Sequence, residues 1–169
     1  LLKNQPSLNQ LLLPLSGKIK AALQYLFFRN GPLSMSLNQG GGFIKSDPAL
    51  DVPDLQLYFS PLSYSTAPFG RRPLMMPDPY PAVRLGFSLC KPTSEGSISI
   101  QSADSSVPPK FFGNYLSTRY DQKTMISGMK LMRKLSATEA LKEIIHTEMS
   151  QVKDVKSDAE LLEYARLHG

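Results

Sequence analysis

Leu55–Ser60, LQLYFS, is the stretch on which the fold turns. Its odd positions Leu55, Leu57 and Phe59 are apolar, and its even positions Gln56, Tyr58 and Ser60 are polar or amphipathic. Side chains alternate across a β-strand, so this period of two predicts a strand whose faces meet different surroundings. Ala82–Cys90 repeats the pattern, with Val83, Leu85, Phe87 and Leu89 set against Arg84, Gly86 and Ser88. Ser97–Gln101, SISIQ, alternates again. Only a short segment containing TSEG separates these last two runs, which predicts an antiparallel hairpin between them. Phe43–Lys45 is a shorter strand-like run.

Helical spacing frames these strands. In Ser16–Asn30 the residues Ile19, Ala22, Leu23, Leu26 and Phe27 recur at helical intervals, and Asn30-Gly31-Pro32 is a stop signal. Asp121–Leu135 aligns Met125, Met129 and Met132, a stripe expected in the core. Ser136–Glu139 and Ser157–Glu160 each fit a capping box ahead of a further helix. Strands in the middle with helices segregated after them predict an α+β fold. The expected architecture is one domain over residues 1–169, with a mainly antiparallel sheet of about five to six strands and helices on one face.

Composition narrows the function classes. The 169 residues are 41% hydrophobic and 20% charged, enough for an ordinary soluble core. Lys and Arg number 19 against 14 Asp and Glu, with short clusters at Arg71-Arg72 and Lys130-Arg133-Lys134. A surplus of five scattered charges describes a solvated surface, and no nucleic-acid partner is expected. Cys90 is the only cysteine, which excludes an intramolecular disulfide and a thiolate-rich zinc site and favours a reducing, cytoplasmic setting. No run approaches the roughly 20 apolar residues of a membrane span.

Candidate chemistry is sparse. Gly40-Gly41-Gly42, within SLNQGGGFIK, matches neither G-x-G-x-x-G nor G-x-x-x-x-G-K-[ST]. A phosphate loop follows a strand and opens a helix, whereas here a helix comes first and a strand follows. A flexible turn is expected instead. His146 and His168 are expected on helices, with no second ligand at metal-binding spacing, and no histidine stands at a motif distance from Ser94 and Glu95. No catalytic or metal-ligating residue emerges. Pro61–Pro81 contains six prolines and exposes Phe69, Leu74, Met75 and Met76. It is either a surface loop with its own apolar contact or a lid or interface.

Two segments together carry a resemblance. Asp54–Ser60, DLQLYFS, is one. The other is Cys90–Tyr115, where Pro92, Ser94 and Gly96 precede Ser102-Ala103-Asp104, Pro108-Pro109 and Asn114-Tyr115. Asp121 and Gly128 follow on a helix, and RNGPL at Arg29–Leu33 precedes the sheet. In order and spacing this resembles the substrate-binding part of the glucose–methanol–choline (GMC) oxidoreductases. Lys91 and Glu95 depart from that family's pattern, in which arginine and a basic residue are common there.

The resemblance implies a flavoprotein that moves hydride from an alcohol carbon to FAD while a histidine takes the hydroxyl proton. It also implies that this chain is a piece of a longer one. The family's FAD loop and His-Pro segment are expected outside it, so its partners would be the FAD-binding domain of the same parent chain and a small alcohol-like substrate. By itself the chain is expected to be inactive. Tyr58 matches the position of a pocket histidine in choline-oxidising relatives. The resemblance therefore implies that Gln56 and Tyr58 face substrate, that Asn38 supplies a polar contact, and that Leu55, Leu57 and Phe59 pack under helices. The alternative is a self-contained small-ligand-binding or interaction module without catalysis.

Overall fold

The computed structural model describes residues 1–64 and 76–168. Phe69, Arg71, Arg72, Leu74 and Met75, which the sequence singles out, lie outside the described residues. The chain opens with two helices, α1 (Leu8–Leu12) and α2 (Leu15–Phe28), and a 3-10 turn at Pro32–Ser34. The strands β1 (Gly40–Ile44), β2 (Leu55–Ser60), β3 (Arg84–Leu89), β4 (Ser97–Ser99) and β5 (Lys110–Phe112) follow. The last part is helical: α3 (Arg119–Ser136), α4 (Glu139–Lys142), α5 (Ser150–Lys153) and α6 (Asp158–His168).

The α+β class stands, but the single sheet of five to six strands does not. Among the described residues there is a three-stranded antiparallel sheet in the order β1-β2-β3, and a separate two-stranded ribbon of β4 and β5. The expected hairpin between Ala82–Cys90 and Ser97–Gln101 does not form. After β3 the amides that would continue a ladder are taken by a helix side chain: the Thr93 and Ser94 N–H groups donate to the Asp121 carboxylate at 2.8 Å each. The chain therefore turns onto the start of α3, and β4 pairs instead with β5, a strand of three residues that alternation does not reveal.

The glycine triad is also corrected. Gly40–Gly42 are not a turn; they form most of β1, paired with Leu57, Tyr58 and Phe59 of β2. Gly41 fits because it has no side chain, since a Cβ there would lie 2.2 Å from the Leu57 carbonyl oxygen.

Ladder register divides the sheet into two faces. Leu55, Leu57 and Phe59 align with Leu89, Phe87 and Leu85 on one of them. Helix α3 packs on this face so closely that a Cβ at Gly128 would meet the Phe87 ring at 2.2 Å. Leu55 is fully buried, a contribution of about 1.5–3 kcal/mol for an aliphatic side chain. The buried stripe of α3 is Asp121, Thr124 and Gly128, and Met125, Met129 and Met132 sit half-buried beside it.

Helix α6 packs on α3 through Leu161 and Ala165. The Ser157–Glu160 capping box forms as expected, with Ser157 N–H donating to Glu160 and Glu160 N–H to Ser157 Oγ. The Ser136–Glu139 box does not. Ser136 Oγ donates back to the Arg133 carbonyl at 2.8 Å, and α4 starts after Thr138. His146 is not helical: its N–H donates to the Leu1 carbonyl. His168 stacks on Tyr164 with ring centroids 4.5 Å apart. Among the described residues no helix is long and apolar enough to cross a membrane, and no cluster of His, Cys, Asp and Glu could hold a metal.

Candidate functional site

The second face of the sheet is where the sequence places its candidate residues. Strict alternation in β2 sends Gln56, Tyr58 and Ser60 away from α3. Their ladder partners on β3 are Ser88, Gly86 and Arg84. Those on β1 are Phe43 opposite Gln56 and Gly41 opposite Tyr58. This face is open at Phe43, which is 65% exposed, and at Arg84, while Gln56 and Tyr58 are half-buried and Ser60 is buried.

Tyr58 has a fixed pose. Its direct partner across the ladder is Gly86, and a Cβ at Gly86 would lie 4.0 Å from the tyrosine ring. The ring lies beside this glycine, and its hydroxyl reaches the next β3 residue on the same face, forming a 2.7 Å hydrogen bond with Ser88 Oγ. Arg84 closes one end of the face by stacking over Tyr64 at 4.1 Å and donating to the Tyr64 carbonyl.

Gln56 and Tyr58 thus stand together on one surface. Asn38 stands apart, in the exposed segment that leads into β1. Its backbone carbonyl accepts a hydrogen bond from Ser36 Oγ at 2.5 Å. Gln39 N–H begins the pairing with β2 by donating to the Phe59 carbonyl, so Asn38 marks the end of the face and not its centre.

Two buried carboxylates brace the sheet and its junction with α3. Asp54 joins the ends of all three strands. Its carboxylate accepts from Ser46 N–H at 2.7 Å, Ser46 Oγ at 2.6 Å and the Tyr120 hydroxyl at 3.3 Å, and its carbonyl accepts from Cys90 N–H. Burial, and then the Asp54 charge, push the Tyr120 phenol up.

Asp121 does the same for the turn after β3, accepting from Thr93 N–H, Thr93 Oγ and Ser94 N–H. Burial opposes its ionisation, but these hydrogen bonds from Ser94 and Thr93 outweigh it and hold the carboxyl down at about 2. Ser94 Oγ in turn accepts from the Ser117 and Thr118 amides. Asn114 takes a left-handed conformation with φ 49° and donates to the Glu95 carbonyl. The sequence motif at Pro92–Gly96, Asn114 and Asp121 is therefore a scaffold. Sequence reading caught Asp121 as an acidic helix start but missed its contacts, and it assigned no role to Asp54. Thr118-x-x-Asp121, a capping arrangement, was the available signal.

Among the described residues no loop forms a dinucleotide cradle. Gly40–Gly42 lie within an edge strand and not at a helix N-terminus. The residues present do not fit the phosphate-binding loop of a flavin site.

Comparison with known proteins places the chain. The sequence profile of the GMC oxidoreductases matches residues 92–169. The oxygen-dependent choline dehydrogenase of Staphylococcus saprophyticus is 30% identical over 98% of this chain, which spans 28% of that enzyme. The chloroplastic fatty acid photodecarboxylase of Chlamydomonas reinhardtii is 31% identical over 88% of this chain and 26% of that protein. Among solved structures, the formate oxidase of Aspergillus oryzae, studied for modification of its FAD, superposes with a TM-score of 0.75. The match has 19% identity and covers 96% of this chain and 32% of the oxidase. The chain spans less than a third of the length of each of these relatives. By this profile match, with relatives aligned along nearly its whole length, the chain belongs to the GMC oxidoreductase family.

Proposed function

We propose that this chain is the substrate-binding part of an FAD-dependent oxidoreductase acting on CH–OH groups, of the alcohol or choline type. The observation that carries the reading is the division of the sheet. Gln56 and Tyr58 lie on the face away from α3, and Tyr58 is held by Ser88 and not left as a free rotor. A half-buried tyrosine fixed in this way suits one wall of a cavity, where positioning a bound substrate contributes to rate. Its aromatic face could equally receive an apolar group or a cation. Asn38, at the end of the same face, is a rim contact.

FAD and the groups that handle the proton belong to the rest of the protein. The relatives extend well beyond the matched region, and the β4–β5 ribbon presents Ile98, Phe111 and Phe112 to solvent. That apolar ribbon suits contact with the flavin-binding domain of the same parent chain.

Tyr58→Ala in the intact protein tests the reading. The rate constants for an alcohol or choline substrate should change while flavin content stays the same. Unchanged kinetics would reduce Tyr58 to a structural residue. The 169-residue chain supplied with FAD should not oxidise alcohols, and turnover by it would overturn the division of labour.

A further inference from the structure

One row of the β1–β2–β3 sheet carries a single side chain. Tyr58 pairs with Gly41 on β1 and with Gly86 on β3, so of these three residues only the tyrosine projects from the sheet. The next row on the same face is filled, by Phe43, Gln56 and Ser88. Tyr58 bridges the two rows. Its hydroxyl reaches diagonally to Ser88 Oγ at 2.7 Å. Its ring edge lies 4.0 Å from the place of a Cβ on Gly86, an ordinary van der Waals distance, so atoms beyond that Cβ would press on the ring. The glycine leaves the ring room along β3, and the serine fixes it there. These contacts lie within one sheet and do not depend on what the rest of the parent protein sets above it.

This pose decides what Tyr58 offers. Its one polar group is turned along the strand and occupied by Ser88, so the ring and not the hydroxyl is what borders the space over the row. On the β1 side Gly41 adds no side chain to that space, and Phe43 borders it from the next row. Charge on this face is one-sided. At the ladder positions of the three strands only Arg84 is charged. The nearby carboxylate of Asp54 is buried and bonded to Ser46 and Tyr120. A cation over the tyrosine gains from the ring but shares the face with Arg84 and meets no carboxylate there, whereas an apolar group gains the same contact without that repulsion.

We infer that Ser88 and Gly86 are positioning residues that hold Tyr58 as an aromatic wall for the apolar body of an alcohol substrate, seated over Gly41 between the Tyr58 ring and Phe43. This rests on the reading that the Tyr58 face meets substrate, and it adds the class of group received there. Neither Ser88 nor Gly86 touches the substrate. Each acts through the ring, Ser88 by tethering it and Gly86 by leaving it space. A ring held in one pose gives its contact area to the substrate without first losing rotational freedom.

Steady-state kinetics of the intact protein with ethanol, butanol, hexanol and choline test this. In the unaltered protein kcat/KM should rise with chain length, by about fourfold for each methylene buried, and hexanol should be preferred to choline. Ser88→Ala should raise KM for hexanol by about two- to tenfold, the equivalent of one neutral hydrogen bond, while kcat and bound flavin hold. Gly86→Val displaces the ring but keeps the serine, and should give the same rise. Ser88→Thr keeps a hydroxyl and should restore KM. In a Tyr58→Phe background Ser88→Ala should change nothing further. A preference for choline overturns the apolar assignment. If Tyr58→Ala alters KM and Ser88→Ala does not, the site stands and the positioning role falls. If Ser88→Ala still raises KM in the Tyr58→Phe background, the serine meets substrate itself and action through the ring is overturned. Unchanged kinetics in Tyr58→Ala, or turnover of none of these alcohols, defeats the reading of the site and this inference with it.

Discussion

The two faces of the β1–β2–β3 sheet are held by different physics. The face under α3 is steric. Phe87 fills the space that a side chain on Gly128 would need, and Leu55 has no contact with solvent. The opposite face is polar and sparsely tied, with Tyr58 fixed by one hydroxyl bond beside a glycine and Phe43 out in solvent. A face made by close packing resists change at every atom. A face made by a few hydrogen bonds can exchange side chains at small cost. A family whose members include a choline dehydrogenase and a fatty acid photodecarboxylase would keep the first and vary the second.

The strongest way to break this comparison is at Asp121, which anchors the covered side. Asp121→Ala leaves the Thr93 and Ser94 amides without their acceptor, while the Thr93 hydroxyl keeps its bond with Thr118 Oγ1. Hydrogen bonds to a charged acceptor are worth about 1.5–3 kcal/mol each, less where the donor is part-exposed, so a loss of roughly 2–4 kcal/mol is expected in denaturant unfolding. The same residue sets an acid limb. Its folded value of about 2 lies below the unfolded 3.8, so the carboxylate's contribution is full above 3.8 and is lost as pH falls through about 2. The span corresponds to about 2 kcal/mol. Asp121→Asn should flatten that part of a stability-against-pH curve, and an unaltered curve would assign the acid limb to other carboxylates.

Next in size is Gly128. Adding a methyl group pushes into the Phe87 ring, and overpacking of this kind costs about 1–3 kcal/mol. Gly128→Ala should therefore destabilise the chain, and Phe87→Leu in the same molecule should recover part of the loss. If the double variant is no better than the single, the helix and sheet are not in the contact described.

These two residues also mark what the sequence made legible. The period of two in Leu55–Ser60 located β2 to the residue and divided its side chains between two faces, because alternation is a property of the strand itself; which face lies under helices came from the resemblance. The count of strands in the sheet was not legible, because it depends on where the chain goes after Leu89. That path is set by a carboxylate from residue 121 reaching back to residues 93 and 94, which no local pattern reports. The glycine triad was misread for a related reason. Glycine is usually a poor strand residue, yet Gly41 is needed in β1 because the β2 backbone comes so near. At the candidate site the sequence showed that Gln56 and Tyr58 share a face but not that Ser88 holds the tyrosine, since that bond crosses strands. Asn38 came in by resemblance alone, and its place at the end of the face depends on where β1 begins.

The triad supplies a smaller test. Gly41→Ala forces a Cβ against the Leu57 carbonyl, while a Cβ at Gly42 has no neighbour within 4 Å. Gly41→Ala should cost about 1–3 kcal/mol by displacing the edge strand. Gly42→Ala should be neutral or stabilising by about 0.5 kcal/mol, through lower entropy of the unfolded chain. Equal effects at the two positions would mean that β1 is not seated on β2 in this register.

The smallest effect on stability is expected at the open face, and it is the most informative about function. Tyr58→Phe removes a single part-buried hydrogen bond to Ser88, worth about 0.5–1.5 kcal/mol, and leaves the ring beside Gly86. Ser88→Ala removes the same bond from the other side. A double-mutant cycle should therefore show the two substitutions overlapping, with the pair costing less than the sum of the singles. That coupling can be measured in the 169-residue chain by denaturant unfolding without reference to substrate. In the intact protein, Tyr58→Phe should then alter the kinetics less than Tyr58→Ala, because the ring persists and only its tether is cut. If the phenylalanine variant is as impaired as alanine while stability coupling to Ser88 is intact, the hydroxyl itself meets the substrate. The open face would then be contributing a polar contact and not an aromatic wall.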